Sequence, residues 1–574
     1  MDFLLSKALH SPKSNYFQIG NYFLQYTRNN VVTEREILIE TKENVVLGDI
    51  NFSFYKALGT DITQQTIEQN IRLLNNGYII LINKINNTVF LYTDTFGFYH
   101  IFYHYNKETI IISSVFNNLI NFSENKIDDF AVLDLIFFNY TLKERTILKD
   151  IKRIFGGTKV IINETIISFK TINNFADNFI LKNKKKKYNY KEFGKTLSNG
   201  ISQEIINKKP VYLTMSGGFD SRALLASCKF LNYNINSFTF GQKGNIEIET
   251  IKPFIDKFVE KHTFLELDKK YIDSINTIFN SFIYKNLDNP VFHSLLEFEY
   301  SNQNISCSNL LTGFMGGELI LGQSVGAQVT FTKFASFLLL SEDYDRLKDF
   351  FKQGVDDLPF LNKKNVLSIL DDYLSTLKEY YHKKDNSNVL RFIINEKYAK
   401  FFGAANKVFK NNHNLITPFM NVDFLDKLLK SEISFLKKKQ FKKNPIAKIK
   451  SKILYAKAIN YLCPEMYKSR FDRLYTIKDL CKPYLLPKVF YFYLLNHINR
   501  KNNKMYESTT RYDLWLKELV IEQFKNDNIT TNMFCISYTI NSLEYDNLSI
   551  YNKRDLLKVL AINSSINYIN QIKK

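Results

Sequence analysis

One segment limits the fold of this chain more than any other: Tyr212–Ser227, with the sequence YLTMSGGFDSRALLAS. An apolar run typical of a buried strand leads into two glycines, and a helical pattern begins directly after them. Glycine lets the backbone approach an oxyanion closely, and the amide groups at the start of a helix attract phosphate. The segment therefore predicts a strand, a phosphate-binding turn and a helix.

Asp220 is the unexpected residue of this turn, because phosphates repel a carboxylate unless a divalent cation lies between them. We therefore predict that Asp220 is a magnesium ligand, with the hydroxyl groups of Ser216 and Ser221 as donors to phosphate. A plain strand–turn–helix corner is the alternative, since such corners often contain Gly and Ser. The combination of strand, SGGxDS and helix disfavours that alternative.

The pattern of the chain changes near residue 190. Before it, short apolar runs separated by turns, such as the hairpin Asn76–Asp94, predict an antiparallel sheet region. After it, strands alternate with helices, which predicts parallel β-α-β units, and beyond about residue 330 helical segments such as Val389–Ala405 dominate. The predicted fold is an α+β domain followed by an α/β domain with a helical C-terminal part. The predicted bounds are 1–180 for the first domain, 181–193 for a lysine-rich linker and 194–574 for the second domain.

Composition excludes some classes of protein. The 574 residues include 77 Lys plus Arg and 57 Asp plus Glu, a formal charge of +20. The excess is mostly lysine in a chain rich in Asn and Ile generally, so it does not favour a dedicated nucleic-acid groove. The five cysteines have no CxxC spacing, which indicates a reducing compartment. No signal peptide and no membrane-spanning run is evident, and we predict a cytoplasmic protein with no membrane partner.

Further segments occur in the order in which asparagine synthetases have them. They are Asp94–Gly97 with the following HIFYHY, the strand Ser237–Gly241, the loop Leu310–Gly322 and the helix and turn of Asn395–Asp426. On these segments and the SGGFDS turn, the chain resembles the asparagine synthetase-like enzymes of the ATP pyrophosphatase superfamily.

The resemblance implies an N-terminal glutaminase-like domain of the N-terminal nucleophile hydrolase type and a C-terminal ATP-binding domain. ATP and Mg²⁺ are the implied cofactors. The implied nucleotide-binding residues are Leu213, Ser216, Gly217, Gly218, Asp220, Ser221, Phe240, Gly241 and Gly313.

The chain departs from this family at three places. The glutaminase nucleophile is a cysteine at position 2, whereas this chain has Asp2 and no cysteine before Cys228. In the family loop SGEGxDE, the first Glu corresponds to Phe314 and the metal-binding Asp to Gly317, so that Glu318 alone survives. Glu318 is then either a second metal ligand shifted by one residue, with a catalytic role, or only a residue that opens a helix.

The third departure concerns the lysine that stabilises pyrophosphate in the family. Its place falls near Phe471 or Asp472, so Arg470 or Arg473 is the candidate for the catalytic positive charge. A solvated basic cluster is the alternative.

The working hypothesis is an ATP-dependent ligase that adenylates a carboxylate, releases pyrophosphate and then accepts ammonia or a substrate amine, without glutaminase activity. The implied partners are a small-molecule or peptide carboxylate and an amine donor. An intramolecular cyclase, as in β-lactam synthetases and lasso-peptide cyclases, is one alternative, and a silent nucleotide-binding homologue is another. The oligomeric state, a homodimer among the options, stays open.

Overall fold

The structure is a computed structural model. It describes residues 1–7, 15–28, 33–106, 110–164, 167–179, 189–244, 246–290, 295–305, 308–321, 331–340, 342–358, 360–381, 386–410, 412–431, 434, 445–471, 474–502, 517, 519–521, 533–534 and 550–572. Within these ranges the strands form two antiparallel sheets in the N-terminal part and one parallel sheet in the C-terminal part.

The N-terminal strands are β1 (Asp2–Ser6), β2 (Asn15–Ile19), β3 (Tyr22–Thr27), β4 (Glu36–Glu40), β5 (Asn44–Asp49), β6 (Tyr78–Asn83), β7 (Thr88–Thr93), β8 (Phe102–Tyr105), β9 (Ile110–Ser113), β10 (Ile151–Arg153), β11 (Thr158–Ile162) and β12 (Ile167–Thr171). Their order is β10-β8-β9-β1-β3-β2 in the first sheet and β12-β11-β7-β6-β5-β4 in the second. The predicted hairpin is confirmed as β6 and β7, which meet around Asn87 with a φ of 51°.

The helices of this part are α1 (Phe52–Leu58), α2 (Gln64–Asn70), α3 (Asn117–Ile120), α4 (Asp129–Phe138) and α5 (Phe175–Asn178). The two sheets face each other across one hydrophobic core, and α1 and α2 cover the outer face of the second sheet. Strand β6 shows why: Ile80 packs between the sheets, whereas Ile79 and Leu81 pack under the helices. Because β6 is buried on both faces, its sequence is a continuous apolar run without alternation.

The C-terminal strands are β13 (Val211–Thr214), β14 (Ile235–Gly241), β15 (Lys261–Glu266), β16 (Asn309–Leu311) and β17 (Asn414–Ile416). All are parallel, in the order β15-β14-β13-β16-β17. The predicted parallel sheet is therefore confirmed. Strand β17 lies in the part of the chain for which the sequence predicts helices. The sequence does not predict this strand, because three residues are too few to show a periodic signal.

The helices of the C-terminal part are α6 (Tyr190–Ser202), α7 (Phe219–Phe230), α8 (Ile246–Phe258), α9 (Lys269–Lys285), α10 (Leu295–Asn304), α11 (Gly316–Leu321), α12 (Phe331–Leu340), α13 (Tyr344–Asp357), α14 (Lys363–Tyr381), α15 (Asn386–Arg391), α16 (Gly403–Lys410), α17 (Val422–Lys430), α18 (Pro445–Leu462), α19 (Ile477–Cys481), α20 (Leu486–Asn502) and α21 (Ile550–Ile572). Helix α6 begins inside the stretch 181–193 that the sequence assigns to a linker, and residues 180–188 lie outside the described residues. No helix in the described ranges combines the length and the hydropathy that crossing a membrane requires.

The segment Val389–Ala405 differs from its prediction as one helix. The structure has α15, then a π-helix over Phe392–Phe402, then α16. In the π-helix, Lys400 Nζ contacts Glu396 Oε2 at 2.6 Å and the carbonyl of Thr141 at 2.7 Å, and it also donates to the carbonyl of Lys143. The π-helix therefore joins the C-terminal part to the N-terminal part.

The first prediction concerns this ion pair, in which both side chains are 1% exposed. Lys400→Met leaves the carboxylate of Glu396 buried without its cation, so we expect the free energy of unfolding to fall by about 3–5 kcal/mol. The double variant Lys400→Met/Glu396→Met removes both charges, and we expect it to regain most of that loss. Denaturant unfolding measures both effects. A double variant as unstable as the single one contradicts the explanation.

Candidate functional site

The order of the parallel sheet creates a crevice at one edge. Strand β13 lies between β14, which follows it in the chain, and β16, which comes much later. The chain runs from β13 outward through β14 to β15 and then crosses to β16 on the other side of β13, so the strand order reverses there. Open α/β sheets bind ligands at the carboxyl ends of the strands at such a point. A cleft of about 220 Å³ lies there, lined by Thr214, Met215, Ser216, Asp220, Ser221, Phe238, Thr239, Phe240 and Gly313.

The turn between β13 and α7 is held by its two serines. Ser221 Oγ donates to the carbonyl of Ser216 at 3.1 Å and accepts the amide of Ser216 at 3.2 Å. Ser216 Oγ in turn accepts the amide of Gly218 at 3.3 Å. These hydrogen bonds fold the turn back on the first turn of α7 and bring both hydroxyl groups to the cleft, where the sequence predicts phosphate contacts.

The carboxylate of Asp220 accepts hydrogen bonds from two other segments of the chain. Tyr455 Oη of α18 donates to Asp220 Oδ1 at 2.7 Å, and the amide of Gly317 donates to Asp220 Oδ2 at 3.0 Å. Burial raises the pKa of the Asp220 carboxyl to about 7, and the negative charge of Glu318 adds to this rise, although the two hydrogen bonds oppose it. A cation beside Asp220 would therefore stabilise the ionised form of its carboxyl group.

The loop after β16 approaches Asp220 closely because its residues are glycines. A Cβ atom on Gly316 would lie 2.5 Å from Asp220 Cγ and Oδ1, and one on Gly313 would lie 3.0 Å from Asp220 Cβ. Any larger residue at Gly316 therefore displaces Asp220 or Tyr455. The loop sequence GFMGGE, with glycines at 313 and 316, suits this contact.

Asp220 and Glu318 are the carboxylates that fit a magnesium ion here. Glu318 is close enough for its charge to raise the pKa of Asp220, and its Oε1 lies 3.8 Å from Lys397 Nζ. Magnesium in nucleotide sites is typically held by one or two carboxylates together with phosphates, so these two side chains fit the group. Among the described residues, no cluster of three or more metal-ligating side chains offers an alternative.

The other predicted nucleotide-binding residues do not all line the cleft. Phe240 and Gly313 line the cleft, whereas Leu213 is fully buried and Gly217 lies buried in the turn. Gly241 ends β14 with a φ of 154°. The structure therefore gathers the predicted residues at one edge of the sheet, some at the cleft and some beneath it.

Arg470 and Arg473 are the two arginines predicted to supply the catalytic positive charge, and the structure describes only Arg470. Arg470 is exposed and its backbone pairs with Thr476, while the neighbouring Phe471 is fully buried. The ring of Phe471 stacks on Phe219 of α7 at a centroid distance of 4.0 Å, and the Arg222 guanidinium lies 4.5 Å from its centroid. An aromatic side chain thus packs on α7 from this segment. Arg473 lies outside the described residues.

Sequence reasoning missed two residues at the site, Tyr455 and Lys397. Tyr455 comes 235 positions after Asp220, and its ring is buried against Phe193, Phe219 and Phe419. A tyrosine in a helical pattern predicts only core packing. No local signal in the sequence marks the hydroxyl group that binds Asp220.

A glutaminase nucleophile is expected at position 2, where this chain has Asp2. Ser114 Oγ donates to Asp2 Oδ1 at 2.9 Å beside an interdomain cavity of about 300 Å³. Nearby, Arg35 pairs with Asp49 at 3.0 Å, and Lys410 of α16 donates to Asn76 Oδ1 at 2.8 Å. This region holds acids, cations and hydroxyl groups, and the chain has no cysteine before Cys228.

Comparison with known proteins identifies no family for this chain. No protein-family model matches the chain, and no curated protein matches it. Several solved structures match parts of the chain, including the following two. One is the glutamine phosphoribosylpyrophosphate amidotransferase of B. subtilis complexed with ADP and GMP, at 9% identity over 34% of this chain and 47% of that chain, with a TM-score of 0.18.

The second similar structure is described as the allosteric regulatory enzyme of purine biosynthesis. It has 8% identity over 43% of this chain and 67% of that chain, also with a TM-score of 0.18. The match spans about half of the length of the first enzyme. Similarity at this level supports no inference about the activity of this chain.

The second prediction follows from the raised pKa of Asp220. Between pH 4 and pH 7 the folded protein keeps a proton on Asp220 that the unfolded chain has lost, so stability falls as the pH rises through this range. Asp220→Asn removes that dependence. We expect this variant to melt at a higher temperature than the wild type at pH 8, and at nearly the same temperature at pH 4.

The exposed Asp372 of α14 provides the control, because Asp372→Asn should leave the melting temperature unchanged at both pH values. An Asp220→Asn variant that is less stable than the wild type at pH 8 would show that the ionised carboxylate stabilises the fold.

Proposed function

We propose that this protein is an ATP-dependent amide-forming ligase that adenylates a carboxylate substrate. The observation that supports the proposal is the position of Asp220: it lies with Ser216 and Ser221 at the switch point of a parallel sheet and within electrostatic reach of Glu318. Hydroxyl groups, glycines and paired carboxylates together suit a polyphosphate with magnesium.

The proposed reaction has two steps. A substrate carboxylate oxygen attacks the α-phosphorus of ATP, an acyl–oxygen–phosphorus bond forms, and the bond to pyrophosphate breaks. An amine nitrogen then attacks the acyl carbon, the carbon–oxygen bond to AMP breaks, and the nitrogen loses a proton to solvent. When bound, magnesium supplies charge neutralisation at the departing phosphates.

Within this proposal each residue has a role. Ser216 and Ser221 orient the phosphates through their hydroxyl groups, and Asp220 and Glu318 would hold the magnesium ion. Tyr455 and the amide of Gly317 keep the carboxylate of Asp220 in one orientation, which avoids reorganisation when charge develops.

The amine comes from ammonia or from the substrate itself. Glutamine hydrolysis in this family needs an N-terminal cysteine nucleophile, and this chain has Asp2 in that place. A substrate that carries both the amine and the carboxylate would be cyclised by the same two steps.

A silent nucleotide-binding protein is the second candidate. The observation that favours it is the engagement of both Asp220 oxygens, by Tyr455 and by Gly317. In that case ATP or another nucleotide would bind in the cleft without turnover.

The third prediction separates these two candidates. Exchange of labelled pyrophosphate into ATP, measured over a panel of carboxylates, should depend on one class of carboxylate in the wild type. Asp220→Ala should abolish it, and Glu318→Gln should lower it by roughly 10–100-fold. Asp372→Ala is the control for a lost surface carboxylate. Magnesium-dependent ATP binding without exchange for any carboxylate would favour the silent binder.

The fourth prediction concerns the nitrogen source. We expect the purified protein to release no glutamate from glutamine, because Asp2 replaces the cysteine that would form the thioester. A coupled assay for glutamate measures this directly. Steady glutamate release that persists in the Asp2→Ala variant would reveal a different nucleophile and contradict the proposal on this point.

A further inference from the structure

The cavity between the N-terminal and C-terminal parts shares no lining residue with the cleft of the proposed site. Its volume is about 300 Å³, which is room for about ten atoms of the size of a water molecule. The N-terminal part lines it with Asp2 and with residues from 98–100 and 114–117, and the C-terminal part lines it with residues of α9 and α16. Asp2 is exposed, whereas Phe98 is buried, so the cavity has an open rim and an enclosed floor.

Positive charge predominates in the lining of this cavity. Among the described residues that line it, Lys285, Lys407 and Lys410 are cations and Asp2 is the acid. Because Asp2 is exposed, water screens its charge, whereas Lys410 is buried and its charge is screened less. His100 also lines the cavity but adds no charge at neutral pH, because burial lowers its pKa to about 3. The cavity therefore favours an anion.

The two lysines of α16 are held by polar groups that do not line the cavity. Lys407 Nζ donates to Asp288 Oδ1 at 2.9 Å, and the side chain of Asp288 is 4% exposed. Lys410 Nζ donates to Asn76 Oδ1 at 2.8 Å and lies 3.7 Å from Asp49 Oδ1. An ammonium group has three hydrogens to donate, so each lysine keeps a donor for a ligand. Residues three apart lie on the same face of a helix, so both lysines can reach one head group.

Close contacts hold α16 against the N-terminal part. The helix begins at Gly403, where a Cβ atom would lie 2.6 Å from His100 Nε2, so glycine permits the approach. His100 Nδ1 contacts Asp288 Oδ2 at 3.2 Å, and Asp288 also binds Lys407. Lys410 Nζ lies 3.7 Å from the ring centroid of Tyr99. The cations are therefore in place before a ligand arrives, which lowers the entropy lost on binding.

Aromatic rings supply an apolar wall beside these cations. Phe116 of the N-terminal part is buried, and its ring packs on Phe102 at a centroid distance of 5.3 Å. Tyr284 of α9 is 50% exposed at the rim, where the neighbouring Lys285 pairs with Glu299 at 2.5 Å. Ligand pockets typically combine such apolar walls with a few polar groups that fix the orientation of the ligand.

We propose that this interdomain cavity binds a small aromatic anion, with its carboxylate or phosphate group at Lys407 and Lys410 and its ring against Phe116 and Tyr284. One ring with such a head group has about ten non-hydrogen atoms, which matches the volume. The ligand contacts both parts of the chain, so its binding stabilises the folded protein. The inference does not depend on the proposed function of the nucleotide cleft.

The experiment, our fifth prediction, measures binding to the full-length protein by calorimetry. Benzoate and phenyl phosphate are the charged probes, and benzyl alcohol and glutamine are the comparison probes. We expect at least one anion to bind roughly tenfold or more tightly than benzyl alcohol, because its head group forms charge-assisted hydrogen bonds. Asn117→Asp keeps the size of a lining residue and adds a negative charge, so we expect anion affinity to fall by roughly tenfold or more. Lys407→Gln removes a cation and should lower it by roughly 10–100-fold.

Asn86→Asp is the matched control, because it makes the same exchange at an exposed residue of the β6–β7 turn. Thermal unfolding verifies that each variant is folded, and Asn117→Asp decides alone if Lys407→Gln is not, since an aspartate suits the first turn of α3. Three results overturn the proposal: neither anion binds the wild type, benzyl alcohol or glutamine binds as tightly as the anions, or Asn117→Asp leaves anion affinity unchanged. The last result would place the anion elsewhere on the protein.

Discussion

The carboxylate of Asp220 is the point on which the candidate site depends. One oxygen accepts the hydroxyl of Tyr455 and the other accepts the amide of Gly317, so three separate segments meet at one side chain. The meeting is possible only because Gly316 has no side chain to occupy the space that Asp220 needs. Loss of any of these groups would leave a partly buried charge without its donors, which is costly in a protein interior.

The same contact organises the packing around it. Tyr455 lies on α18, and α18 packs on both α6 and α7, which flank the turn after β13. Phe219, the first residue of α7, contacts Tyr455 on one side and Phe471 on the other. The hydrogen bonds to Asp220 are therefore surrounded by aromatic rings. These rings exclude water, which strengthens the hydrogen bonds.

Much of this architecture could be predicted from the sequence because its signals are local. The hairpin β6–β7 follows from two apolar runs around Asn86 and Asn87, and the turn after β13 follows from SGGFDS. Other features depend on contacts between distant residues. The hydroxyl of Tyr455 binds a residue 235 positions earlier, and a π-helix has no distinctive sequence period beside α-helical neighbours. The sequence could not predict that Arg470 is exposed, because only packing against α7 places Phe471 in the interior.

The loop after β16 uses its backbone and its carboxylate for two different contacts. On a helix, a shift by one position turns a side chain by about 100°, so a carboxylate at 318 does not point where one at 317 would. In this chain the backbone of Gly317 binds Asp220, while the side chain of Glu318 pairs with Lys397.

Lys397 lies in the π-helix, which is held by Arg153, His100 and the contacts of Lys400 with Thr141 and Lys143. The position of Lys397, the partner of Glu318, thus depends on contacts with the N-terminal part of the chain. The N-terminal part therefore supports the helix that carries Lys397.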